Sequence, residues 1–240
     1  MLRQLTIALL LSLLLDCNYK LRKGTAIVVS AEKDSITIAS DSKSQNFKND
    51  FSVSEFDSDN NKLLRINNKI ICISGIAEIN GLNIKNILKQ YVKPSTKIAE
   101  DAMKLTDGLI LEYKNVAKKL TPNEIKGLSK IDAHTRILIV GYENKVPNVA
   151  EIIVGLSPDF KSGDAVRYIE PTFYKGNGVF PIGTINHIEK RLKDGFKFSR
   201  NRLNDLVYLI KLQAKYSMAV DSNVNYVVIK PNNTFSFGRL

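Results

Sequence analysis

Residues 25 to 42 constrain this 240-residue chain more than any other stretch. An almost unbroken apolar run, Thr25-Ala26-Ile27-Val28-Val29-Ser30-Ala31, is followed by the polar triplet Glu32-Lys33-Asp34. A second run, Ser35-Ile36-Thr37-Ile38-Ala39-Ser40-Asp41-Ser42, then returns. β-branched residues fit a pleated, half-buried surface, and two such runs around a short polar turn predict an antiparallel hairpin. A hydrophobic content of 44% is enough for one domain with its own core, without a metal or disulfide scaffold. Of the two cysteines, Cys72 lies in an apolar strand pattern and reads as a small core residue.

The rest of the chain alternates in the same way. Lys62-Leu63-Leu64-Arg65-Ile66 is a further apolar run. The polar stretch Gln45 to Asn61, rich in Ser, Asp and Asn with Phe47, Phe51 and Phe56 interspersed, predicts a long loop. Apolar residues at helical spacing predict a helix over 77–92 and another over 96–118, with Pro94 between them. Strands are expected at 135–142 and 150–155 around the Asn144-Lys145 turn, and a further turn at Lys175-Gly176-Asn177-Gly178. Helices over 185–192 and 203–218 precede a closing hairpin, 223–229 and 234–237, around Pro231-Asn232-Asn233. No internal repeat or break in composition calls for a second domain.

Three residues in this framework suit one kind of chemistry. A threonine hydroxyl is a poor nucleophile at neutral pH and needs a nearby base. When threonine is the first residue of a chain, its own α-amine, with a reference pKa of about 7.7–8.0, can take that proton. A lysine beside the pair favours deprotonation, and a carboxylate keeps the lysine charged and oriented. Thr25, Lys62 and Asp41 supply these three groups.

With these residues in this order, the chain resembles the proteasome β-subunits and the peptidase subunit of the bacterial two-component ATP-dependent protease, both N-terminal-nucleophile hydrolases. In that family a glycine precedes the mature N-terminal threonine, a hairpin ends Ala-x-Asp as Ala39-Ser40-Asp41 does here, and a lysine strand leads to a strand ending in Ala-Gly, matched by Ser74-Gly75. Ile182-Gly183-Thr184 is similar to the family's Gly-Ser step, and Asp221-Ser222 falls near its second Asp and Ser. The resemblance runs from Thr25 to the C-terminus. It implies an α+β fold, the four-layer αββα sandwich of N-terminal-nucleophile hydrolases, and a site of Thr25, Asp41, Lys62, Gly75, Thr184, Asp221 and Ser222. Gly75 would offer its backbone N–H to the oxyanion. The chain departs from the pattern in a longer Asp41–Lys62 segment, in Ile76 where a glycine follows the oxyanion position, and in an Asp221 loop without Ser-Gly-Gly. The implied activity is hydrolysis of peptide or amide bonds after self-cleavage at Gly24-Thr25, on peptides or unfolded proteins, with a homo-oligomer in keeping with the family's rings. No cofactor is implied.

The N-terminus sets a competing expectation. Arg3 followed by the apolar run Leu5–Leu15 resembles a secretory signal, too short to span a bilayer, over residues 1–16. Cys17 after Leu13-Leu14-Leu15-Asp16 resembles a bacterial lipoprotein's lipidation site, with 17–24 as a tether or propeptide before a single domain at 25–240. Uncleaved anchoring, ordinary signal cleavage and a cytoplasmic propeptide are the alternatives. The lipoprotein reading places the chain in a bacterial cell envelope. It also opens a second function, a non-enzymatic envelope lipoprotein that uses the same fold for binding or assembly.

The net charge of +11 stays positive if residues 1–24 are removed. Its densest stretch, Lys190, Arg191, Lys193, Lys197, Arg200 and Arg202, suits either a solvated face or an anionic lipid or polysaccharide. No nucleic-acid motif or stacking array accompanies it, so specific nucleic-acid binding is not expected. His134 and His187 are isolated from any metal-ligand pattern, and the chain has no phosphate loop, dinucleotide fingerprint or serine elbow.

Overall fold

A computed structural model describes residues 21–24, 26–47, 53–57, 61–93, 96–128, 133–156 and 166–240. Thr25 and Cys17 lie outside the described residues.

The predicted hairpin forms as β2 (Ala26–Ala31) and β3 (Ile36–Asp41), paired antiparallel with Val29 opposite Ile38. Its edges are covered by β12 (Gly178–Gly183) on β2 and by β13 (Val224–Ile229) on β3, and β14 (Phe235–Arg239) completes a five-stranded sheet. Every residue of β2 and β3 is buried, so both faces of the hairpin are covered.

The second sheet has nine strands among the described residues. Its axis is β7 (Lys69–Ile79), flanked on one edge by β9 (His134–Glu143) and the short β8 (Leu82–Asn83), and on the other by β6 (Leu63–Ile66) and β1 (Leu21–Gly24). Beyond β9 lie β10 (Val146–Leu156) and the edge strand β11 (Val166–Lys175); beyond β1 lie β4 (Ser44–Phe47) and β5 (Val53–Asp57).

Three apolar clusters stack the layers. Ile27, Val29, Ile36 and Ile38 of the smaller sheet meet Ile70, Cys72, Leu138 and Val140 of the larger between the sheets. The outer face of the larger sheet packs Ile71, Ile137, Ile139 and Ile152 against Leu105, Leu109 and Tyr113 of α2 (Ile98–Ala117), with Leu88 of α1 (Ile84–Tyr91). The outer face of the smaller sheet packs Val28 and Ala39 against Ile188 of α4 (Asn186–Lys193) and Leu206 and Ile210 of α5 (Arg202–Tyr216). A short helix, α3 (Pro122–Leu128), follows α2. The layers therefore run helix, sheet, sheet, helix, and alternate strand residues serve different cores.

Three expectations need correcting. The stretch 45–61 is not a bare loop, because it contributes β4 and β5, whose polar backbone is satisfied by pairing with β1 and with each other. The helix expected from residue 77 begins at Ile84. Ile76 and Ile79 belong to β7, which must reach that far to pair with β1, and Asn83 caps the helix by accepting from Lys85 N–H at 3.0 Å. The stretch 17–24, expected as a tether or propeptide ahead of the domain, has its last four residues in β1, bonded on both edges to β7 and β4.

Between Gly24 and Ala26 the chain passes from the larger sheet to the smaller. Gly24 pairs with Gly75 and Ser44, and Ala26 pairs with Gly183.

Candidate active site

β3 delivers Asp41 to the point where the two sheets exchange the chain, and its carboxylate is completely buried. Oδ1 accepts from the Ala26 N–H at 2.7 Å and from Lys62 Nζ at 2.5 Å. Oδ2 accepts from the Lys43 N–H at 3.1 Å and, more weakly, from the Asp221 N–H at 3.4 Å. Four donors, one of them cationic, satisfy both oxygens of the buried carboxylate.

Lys62 lies just before β6 and is 2% exposed. Its carbonyl accepts from Ile73 N–H at 3.1 Å, so β7 fixes the lysine's backbone while Asp41 fixes its ammonium. A buried cation without a partner would be strongly destabilising; here geometry and charge match.

Asp221 reaches the same place from the loop between α5 and β13. Ser42 Oγ donates to its Oδ2 at 3.2 Å, Asn223 N–H to its Oδ1 at 3.0 Å, and Asn223 Nδ2 to its Oδ2 at 3.2 Å. Burial pushes this carboxyl's pKa up, but the Asn223 N–H, the Ser42 hydroxyl, the Asn223 amide and the Ser222 N–H outweigh it and hold the pKa below the ordinary aspartate value. The Ser222 side chain is exposed.

Gly75 has φ +77, and a Cβ there would stand 2.1 Å from the His134 carbonyl oxygen, so the backbone admits only glycine. It sits opposite Gly24 on one edge of β7 and Thr135 on the other. Behind it, Thr135 Oγ1 donates to Ile76 O at 2.6 Å, which leaves Tyr113 to donate its hydroxyl to Thr135 Oγ1 at 2.5 Å. Thr184 follows Gly183, the strand partner of Ala26, and is half-buried.

Asp41, Lys62 and Asp221 are thus joined by hydrogen bonds around the backbone of Ala26, with Ser222 adjoining. Gly75 pairs with Gly24, and Thr184 follows Gly183, the partner of Ala26. Two contributors were not foreseen. Ser42 binds the Asp221 carboxylate and, through its N–H, the Asn223 carbonyl at 3.1 Å; Lys43 Nζ holds the Met218 carbonyl at 2.6 Å. Their only signal in sequence is adjacency to Asp41, because Asp221 lies 179 residues from Ser42 and Met218 lies 175 residues from Lys43. Among the described residues, no group of three His, Cys, Asp or Glu converges as a metal site would require.

No protein-family model and no curated protein matches this sequence.

Proposed function

We propose that the chain is an N-terminal-threonine hydrolase with the proteasome β-subunit fold, activated by its own cleavage at Gly24-Thr25. The observation that supports this best is the buried Asp41–Lys62 pair bonded directly to the N–H of Ala26, the residue after Thr25.

In the self-cleavage, Thr25 Oγ attacks the Gly24 carbonyl and the Gly24–Thr25 C–N bond breaks. The acyl group passes to Oγ as an ester, and the Thr25 nitrogen takes up the proton as a free amine. Water then hydrolyses the ester to the Gly24 carboxylate and the Thr25 hydroxyl. In turnover the amine accepts the Oγ proton as Oγ attacks an amide, then passes it to the leaving amine; water releases the acyl group. Lys62, kept charged by Asp41, favours the deprotonated amine, and the Gly75 N–H faces the oxyanion. The substrate class is a peptide or an unfolded protein.

Intact mass and N-terminal sequencing of the wild type beside Thr25→Ala test this reading. A chain beginning at Thr25 in the wild type alone supports it; an intact Gly24-Thr25 bond in both sinks it.

One observation favours a second reading, in which the chain is a non-enzymatic envelope lipoprotein anchored through Cys17. Leu21–Gly24 is a strand paired on both edges, as a permanent part of the domain would be. No helix among the described residues is long and apolar enough to cross a membrane; in this reading the anchor is a lipid on Cys17. A mature chain that begins at lipidated Cys17 and retains β1 is its signature.

A further inference from the structure

A groove of about 510 Å³ opens beside the site, lined by Lys43, Lys211, Lys215, Asp221 and Ser222 over a floor of Ala214 and Val220. Its inner wall belongs to the site already described. The N–H groups of Lys43 and Asp221, two of the lining residues, both point to Asp41 Oδ2.

The outer wall is formed by α5, where Lys211 and Lys215 are one turn apart and both exposed. Like charges at this spacing repel, and the helix offers them no counter-charge. The positions one turn before Lys211 are Val207 and Tyr208, and those before Lys215 are Lys211 and Leu212. Lys43 adds a third ammonium, held in place on the Met218 carbonyl. The one carboxylate in the lining, Asp221, is turned toward Ser42 and Asn223, whose donors occupy both of its oxygens. The groove is therefore a positive recess with a small apolar floor, beside the proposed reacting residues.

We infer that this groove binds an acidic peptide segment, with Lys211 and Lys215 as the residues that select it. Calling that peptide a substrate rests on the hydrolase reading; the binding does not. Carboxylate side chains on an extended chain fit a pair of ammonium groups one helical turn apart, and the apolar floor takes the intervening methylenes. The segment would carry its acidic residues on the side of the scissile bond nearer Asp221.

The test is fluorescence anisotropy with full-length protein and three labelled peptides of equal length, rich in Glu, in Ser/Gly and in Lys. Thr25→Ala is run in parallel so that cleavage does not confound binding. The Glu peptide should bind at least about ten-fold more tightly than the Ser/Gly peptide. That preference should fade with salt and vanish in Lys211→Glu/Lys215→Glu. Lys190→Glu/Lys193→Glu on α4, in the densest basic stretch of the chain, should leave it intact. Equal binding of Glu and Ser/Gly peptides overturns the inference, as does equal weakening by both double variants, which would reduce it to general attraction to a basic protein. Anionic lipid vesicles that need Lys211 and Lys215 while the Glu peptide does not bind would assign the groove to a membrane and overturn it too. Glu-peptide binding with no turnover would leave the groove standing and sink the hydrolase reading; turnover indifferent to peptide charge would do the reverse.

Discussion

The Ser42 hydroxyl donates to Asp221 Oδ2 at 3.2 Å across 179 residues of sequence, joining the end of β3 to the loop before β13. This bond is one of those holding the Asp221 pKa down, so Ser42→Ala should raise that pKa toward the ordinary aspartate value. If catalysis needs Asp221 ionised, the acid limb of the kcat/KM profile moves to higher pH in Ser42→Ala while the alkaline limb stays. The same sign applies to stability. A depressed carboxylate stabilises the fold above its unfolded pKa and loses that contribution as pH falls through the folded one. The variant should therefore lose less stability on acidification between about pH 5 and 3 than the wild type, read by urea denaturation across that window. An unmoved acid limb would remove Asp221 from the chemistry.

The Asp41–Lys62 pair predicts strong non-additivity. Asp41→Asn or Lys62→Met alone leaves a buried charge or donor set without its partner and should cost about 3–5 kcal/mol in chemical denaturation. The double variant should cost clearly less than the two losses added together. Additive losses would mean that the two side chains are not coupled in solution.

Two glycines with similar φ make a controlled comparison. Gly75 (φ +77) faces the His134 carbonyl at 2.1 Å from an added Cβ, whereas Gly81 (φ +83) faces open space. Gly81→Ala should cost only the left-handed backbone penalty, about 1–2 kcal/mol. Gly75→Ala must also push apart β7 and β9, so its melting temperature should fall well below that of Gly81→Ala. Similar melting temperatures would contradict the close approach.

Tyr113→Phe removes the one donor to Thr135 Oγ1 in a fully buried position, without changing the ring's packing. A loss of about 1–2 kcal/mol is expected, and Thr135→Val in the same background should cost more again, because it also removes the donor to the Ile76 carbonyl. Equilibrium unfolding of the two single variants and the double variant measures both.

What the sequence revealed followed from periodicity and punctuation. The β2–β3 hairpin was readable because two β-branched runs flank Glu32-Lys33-Asp34, and β9–β10 because Asn144 and Lys145, both at positive φ, mark the turn. β4 and β5 were hidden because Ser44–Phe47 and Val53–Asp57 carry no apolar alternation; their order comes from backbone pairing to β1, which no local pattern encodes. β11 was hidden for a related reason, since most of Val166–Lys175 is exposed on both faces and leaves no buried stripe to read. Ile79 fitted a helical spacing as well as a strand, and the pairing of β7 with β1 decided between them. At the site, the pairing of Asp41 with Lys62 was suggested by a family resemblance, because nothing in composition brings residues 21 positions apart together. Ser42 and Lys43 lay beyond both kinds of reasoning, because their role exists only once α5 and its following loop have docked.

The placement of β1 between β7 and β4 gives the proposed cut a thermodynamic memory. While the Gly24–Thr25 bond exists, β1 finds its slot as part of one chain, at an effective concentration set by the linkage. After the cut, the same strand would be a separate solute held without a covalent link, and the β4–β5 pair would depend on it for its place in the sheet. A severed molecule taken through denaturant and back would have to recruit a lost piece from dilute solution. Comparing recovery of cut and uncut protein after such a cycle would show whether the native state is an equilibrium that the chain can revisit or a product of its assembly history.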